Sequence, residues 1–332
     1  MNKKQQKVID ILGPARVLIL EPLAKYSSFH IGGPADLFFR AKTQEDLILA
    51  LKSAQDLKLP YFVIGGGTNL LIGDFGFRGL VIKNDASNIR LLGIKGKKTV
   101  KSDGLGDSIQ KVYLEVDSGV SINRLVRFTL DQGFGGLEYF LGQPGTVGGA
   151  VYINAHNMKK KQFFADRIVE AKIMGIDGKK KTIPVNYFRF GYDQSILQET
   201  KEIVLSVVIE LVRGDKLKLW QEAQATLDYR HTTQPSGVFS SGCTFRNISK
   251  SDAVRLATPV FTTSAGFLLE AVGLKGTKKG KAMFSDHHAN FIVHQGGATG
   301  ADVLELIKLG KQKVKDRFNV NLKEEIVLLG EF

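Results

Sequence analysis

The sequence predicts an α+β fold, because helical and strand patterns mix along it without the steady strand-helix alternation of a doubly wound sheet. Two further observations bound the architecture. At 332 residues the chain exceeds one ordinary domain, so two or three are expected. With 43% hydrophobic and 24% charged residues it has the composition of a folded globular protein with a sizeable core, not of a disordered one.

The elements are read in order. Thr43 is an N-cap for a helix through Leu57, with Glu45 and Asp46 in its first turn and Leu47, Leu51 and Ala54 at helical spacing. Tyr61 to Ile64 is a short apolar strand running into Gly65-Gly66-Gly67-Thr68-Asn69. Leu70 to Ile72 and Leu80 to Ile82 are two more strands, parted by Gly73-Asp74-Phe75-Gly76. Ile89 to Val116 has the pattern of β hairpins with glycine and lysine turns. Ser121 caps a helix through Gln132 that Gly133 terminates. After a second glycine-rich segment, Gly142 to Ala150, strands follow at Arg167 to Ile176 and Glu202 to Leu211 on either side of an Asp177-Gly178 turn. Helices are expected at Lys216 to Leu227, Phe267 to Val272 and from a Thr299 cap through Phe318, with strands at Asn290 to Val293 and Ile326 to Leu329.

Composition excludes several classes. No stretch approaches the roughly 20 uninterrupted apolar residues of a spanning helix, and Asp10, Pro14 and Arg16 interrupt the start too early for an export signal. A single cysteine, Cys243, rules out an intrachain disulfide and fits a reducing, cytoplasmic setting. The net charge of +13 raises a nucleic-acid reading. Yet the runs Lys159-Lys160-Lys161, Lys179-Lys180-Lys181 and Lys278-Lys279 lie beside turns and lack interleaved aromatics, so a solvated basic surface is expected instead. Such a field also concentrates polyanionic substrates.

The two glycine segments carry the chemistry. A strand followed by three glycines lets backbone N–H groups close on a phosphate without obstruction by Cβ. Gly65 to Leu71 lacks the Gly-x-Gly-x-x-Gly spacing of a dinucleotide fingerprint and the Gly-Lys-Ser/Thr ending of a P-loop. Each segment alone fits either a tight turn or a cradle. Together they fit one extended phosphate-bearing ligand between two subdomains.

The wording of these segments resembles the UDP-N-acetylenolpyruvoylglucosamine reductase family. Ser27-Ser28-Phe29-His30-Ile31-Gly32-Gly33-Pro34-Ala35 is similar to its opening segment, Val63 to Leu71 to its FAD-diphosphate loop, and Gly136-Leu137-Glu138 through Asn154 to its second FAD segment. Tyr229-Arg230 through Gln234-Pro235, Ser240-Ser241-Gly242-Cys243-Thr244-Phe245-Arg246-Asn247, Ala265 to Glu270, His288-Ala289-Asn290-Phe291 and Leu322 to Gly330 are similar to its substrate-domain signatures. The resemblance implies a vanillyl-alcohol-oxidase-like (PCMH-type) FAD domain at 22–212 after a lead segment 1–21, and an α+β substrate domain at 213–332. Only nine residues, 193–201, separate Gly191-Tyr192 from the strand near Glu202, which implies the shorter branch without a substrate-closing insertion.

In that family NADPH reduces the flavin, whose N5 then gives hydride to the enolpyruvyl double bond of a UDP-sugar during peptidoglycan precursor synthesis. The resemblance assigns FAD contacts to Ile64, Gly65, Gly66, Gly67, Thr68, Asn69 and Leu70, and to Gly142, Pro144, Gly145, Thr146, Gly148, Gly149 and Ala150. It assigns Cys243 as proton donor, where most members have serine, Glu325 as its catalytic partner, and Tyr192, Arg230 and Asn247 as substrate contacts. No metal, nucleic acid or membrane partner is expected, and a monomer is. The bland readings are a buried apolar thiol for Cys243 and a solvated strand-end carboxylate for Glu325. At one position the chain departs from the family: Asp193 stands where an arginine is expected. Arg189, on the same face if the segment is extended, Arg230 and Arg246 are the candidate replacements. The alternatives are a catalytically impaired homologue and an FAD oxidase of the same fold.

Overall fold

The computed structural model describes residues 1–98 and 108–332; the tip of the expected 89–116 hairpin lies outside the described residues. The chain forms two compact units. One comprises Met1–Val17, Phe39–Gly66 and Ile82–Arg230, the other Leu18–Phe38, Gly67–Val81 and His231–Phe332.

The first unit is organised by an antiparallel sheet in the order Lys180–Pro184, Ile168–Met174, Ile203–Arg213, Ser108–Asp117, Ile89–Lys98, with Phe134–Gly135 also pairing onto Ile203–Arg213. The β-branched run read in the sequence is its central strand. Val207 faces Val116 on one neighbour and Ala171 on the other, and all three are buried. The helix Ile122–Asp131 starts where Ser121 accepts from the Arg124 N–H and ends before Gly133 at φ +69°. Its buried residues Ile122, Leu125, Val126, Thr129 and Leu130 form one stripe at helical spacing. Ile122, Leu125, Val126 and Leu130 join Leu114, Phe140, Phe164 and Phe188 in one core, each large apolar side chain contributing roughly 1.5–3 kcal/mol on burial.

Thr43 caps Gln44–Asp56, which buries Leu47, Leu51 and Ala54 as expected. The lead segment is not irregular. Asn2 and Gln5 form a capping box on a helix Lys3–Leu12 that buries Val8, Ile9 and Leu12 and packs on Gln44–Asp56. The helix Lys216–Thr233 runs six residues past its expected end.

In the second unit, the parallel pair Leu70–Ile72 and Val327–Leu329 joins the first glycine segment to the C-terminus. A small sheet of Lys278–Lys279, Ala282–Phe284 and Ile292–Val293, the last shorter than the expected 290–293, lies on the helix Gly300–Phe318. That helix is capped twice over: Thr299 and Asp302 form a capping box, and the Asp74 carboxylate accepts from the Gly300 and Ala301 N–H groups at 2.7 and 3.0 Å. Phe245, Leu268, Leu269, Phe284 and Leu306 fill the core.

Candidate active site

In the second unit a run of short backbone contacts gathers residues distant in sequence. The Glu325 N–H donates to the Thr244 carbonyl at 2.9 Å, and the Arg246 N–H to Lys323 at 2.9 Å, with Phe245 and Glu324 as the bridged pair. Cys243 is bridged on its other side to Phe291. The Asn290 side chain holds this run in place, donating to the Phe245 carbonyl at 2.8 Å and accepting from its N–H at 2.9 Å. Cys243 and Glu325 therefore lie on paired segments, both half-buried.

The neighbouring carboxylate Glu324, also half-buried, is ion-paired to Lys311 at 2.7 Å.

The first glycine segment is stitched into the same region. Asn69 donates its amide to the Glu325 carbonyl at 3.0 Å and accepts from the Val327 N–H at 2.9 Å. The Ser241 hydroxyl donates to the Leu70 carbonyl at 2.8 Å, and the Ser28 N–H to that of Gly67 at 3.0 Å. Gly67 has φ +64°, and a Cβ there would lie 1.8 Å from the Tyr26 carbonyl oxygen. Only glycine closes the chain at that point. Asn247 is exposed, its side chain accepting from the Ala265 N–H at 3.2 Å.

In the first unit the two glycine segments meet. A Cβ on Gly65 would lie 2.3 Å from Thr146 Oγ1. Thr146 is the N-cap of a helix, Val147–Ile153, that begins inside the second segment and packs on the strands Ser108–Asp117 and Ile203–Arg213. The sequence pattern leaves this segment open between a tight turn and a cradle and does not announce the helix. Gly66, Pro144 and Gly149 stay exposed, and a Cβ at Gly149 meets nothing nearer than 3.7 Å. Gly142, at φ +81°, is overlaid by Leu227 and Arg230, 2.6 and 3.4 Å from where its Cβ would be.

The helix Val147–Ile153 ends at Asn154 in the left-handed region, and the Asn154 amide donates to the Gly191 carbonyl at 2.9 Å. Residues 191–194 form a tight turn, closed by Gly191 and Gln194 donating to each other's carbonyls at 3.0 and 3.4 Å. This corrects the expectation of an extended segment with Arg189 and Asp193 on one face. Arg189 is instead exposed, at φ +46° after the helical turn Val185–Phe188, and lines an open surface cleft with Pro184, Asn186, Tyr187, Ile196 and Thr200. Asp193 is 2% exposed.

Residues 234–329 match the family model described as UDP-N-acetylenolpyruvoylglucosamine reductase, C-terminal domain. Along 317 residues the chain is 36% identical to UDP-N-acetylenolpyruvoylglucosamine reductase 1 of Bacillus anthracis, covering 95% of each chain. This chain belongs to the UDP-N-acetylenolpyruvoylglucosamine reductase family. A reductase of Bacillus pumilus is 34% identical over 319 residues, again 95% of both chains. The crystal structure of the Thermus caldophilus UDP-N-acetylenolpyruvylglucosamine reductase aligns with a TM-score of 0.71 at 29% identity, covering 94% of this chain and 98% of that one.

Residues 35–183 match an FAD binding domain, a span that holds both glycine segments of this reductase-family chain. The fit is physical. Gly65 and Gly67 occupy positions where a Cβ would collide with the protein, while Gly66 and Gly149 leave uncovered backbone where a diphosphate would approach.

Sequence reasoning passed over one residue. His156 follows the second segment and carries no motif, yet its Nδ1 lies 3.5 Å from Asp193 Oδ1 and its ring centroid 4.9 Å from that of Tyr192. A lone histidine two residues beyond a helix end gave no signal that a later turn would fold onto it.

Proposed function

We infer that the chain catalyses the NADPH-dependent, FAD-mediated reduction of the enolpyruvyl group of UDP-N-acetylglucosamine enolpyruvate to UDP-N-acetylmuramate. It does so as a cytoplasmic monomer supplying peptidoglycan synthesis, and thereby cell-wall growth, shape and division. The observation that carries the reading is the run from Asn69 through Glu325 to Thr244 and Cys243, which ties a phosphate-cradling segment to a thiol and a carboxylate.

Bound FAD supplies transfer of hydride from NADPH to the substrate double bond. Ile64 to Leu70 and Gly142 to Ala150 hold its diphosphate region, with domain limits at 22–212 for the cofactor and 213–332 for the substrate. Cys243 donates a proton to the carbon beside the one that receives hydride, a thiol being a competent general acid. Glu325 works with it in shaping the charge that develops. Tyr192, Arg230 and Asn247 contact the UDP-sugar.

Steady-state assay tests this function. NADPH oxidation that requires the enolpyruvyl UDP-sugar is expected; flavin-dependent oxygen consumption independent of that sugar would contradict it.

A further inference from the structure

Asp193 is almost wholly buried, and charged carboxylates are kept in such positions only when paired. Its Oδ1 lies 3.5 Å from His156 Nδ1, and the two side chains are exposed to 2% and 15%. The imidazole is thus the outer member of the pair and the carboxylate the inner one. Tyr192 and Phe163 flank the ring at 4.9 and 5.7 Å between centroids, and the backbone of His156 pairs with that of Phe163. The Asp193 carboxylate and the Tyr192 ring of the 191–194 turn and the Phe163 ring face the imidazole. Through Asn154, whose amide holds the Gly191 carbonyl, the turn is fixed to the helix that begins in the second glycine segment.

We propose that His156 meets the carboxylate of the enolpyruvyl substrate in place of the missing arginine, with Asp193 as a positioning residue behind it. The inference rests on the reductase reading. Such a substrate brings a carboxylate onto which negative charge spreads as hydride adds, and a prepositioned hydrogen-bond donor stabilises that charge more than the ground state. An uncovered Asp193 would repel it. With the imidazole outermost, the ring and not the carboxylate is the group presented on the accessible side, which reconciles an acidic residue in this turn with an anionic ligand.

The test uses the FAD-loaded enzyme, with FAD content and NADPH bleaching of the flavin reporting a folded holoenzyme. His156→Gln is expected to lower kcat/KM for the enolpyruvyl UDP-sugar by about 10²-fold, and His156→Lys to recover much of that loss. Asp193→Asn is expected to lower kcat/KM for the sugar as well, while NADPH still bleaches the flavin at the wild-type rate. Wild-type-like kcat/KM in His156→Gln or in Asp193→Asn would overturn this inference alone. An inactive wild type rescued by Asp193→Arg would also overturn it. A wild type whose reduced flavin is never reoxidised by the sugar, with or without that substitution, would overturn the reductase reading together with it.

Discussion

The Asn69 side-chain amide donates to the backbone carbonyl of Glu325 across 3.0 Å, so a residue of the first glycine segment holds a proposed catalytic carboxylate by its main chain. Asn69→Leu removes that donor and leaves a partly buried carbonyl unsatisfied, at about 1–3 kcal/mol. The denaturant midpoint should drop with an unchanged slope, and turnover should drop with it. Glu325→Gln keeps every backbone contact, so it should lower turnover while changing stability by no more than about 0.5 kcal/mol.

Gly149 separates stability from cofactor binding. It lies within the helix Val147–Ile153, exposed, where a Cβ meets nothing closer than 3.7 Å. Gly149→Ala should stabilise the protein by about 0.5–1 kcal/mol through helix propensity. Gly149→Leu, and Gly66→Leu in the other segment, should fold yet purify with little FAD, read from the visible absorbance of the isolated protein. Full occupancy in both leucine variants would remove the cofactor assignment.

Cys243 is expected to act through its proton and not its bulk. Cys243→Ser should retain appreciable turnover. Cys243→Ala should slow the substrate half-reaction by roughly 10²- to 10⁴-fold, while NADPH still reduces the flavin at the wild-type rate in rapid-mixing experiments. An alanine variant with unchanged turnover would exclude the thiol as acid.

Acid should loosen the Cys243 segment through His288. Burial of its ring, reinforced by His287 and Lys275, pushes its pKa below the usual 6.5, and its Nδ1 accepts from the Asn290 N–H at 3.2 Å. The folded state resists a proton that the unfolded chain takes up near pH 6.5, so the neutral ring's contribution is present above that value and lost as pH falls below it. Tm should decline between pH 7.5 and 5.5, and His288→Asn should flatten the decline.

Local signals in the sequence were legible where a side chain bonds its own backbone. Thr43, Ser121 and Thr299 mark helix starts because a hydroxyl three residues ahead of an N–H needs no tertiary partner. The helix Val147–Ile153 escaped because two of its first three residues are glycine, a poor helix former, although the Thr146 cap was present. Lys3–Leu12 likewise carried its Asn2 and Gln5 capping box. The parallel pairing of Leu70–Ile72 with Val327–Leu329 was not readable, since three apolar residues announce burial without naming a partner. Cys243 and Glu325 came from resemblance to a family; no periodicity links them, and only the folded backbone, through Thr244, brings their segments together. The fold of the 191–194 turn onto His156 depends on Asn154, an anchor that no local pattern reveals.

The most direct test of the reductase assignment is the visible spectrum of the purified protein in an anaerobic cuvette. Bound oxidised flavin should be present at the start, NADPH should bleach it, and the enolpyruvyl UDP-sugar should then restore the oxidised spectrum with stoichiometric formation of UDP-N-acetylmuramate. A protein without flavin absorbance, or a bleached flavin that the sugar leaves reduced, would contradict the assignment.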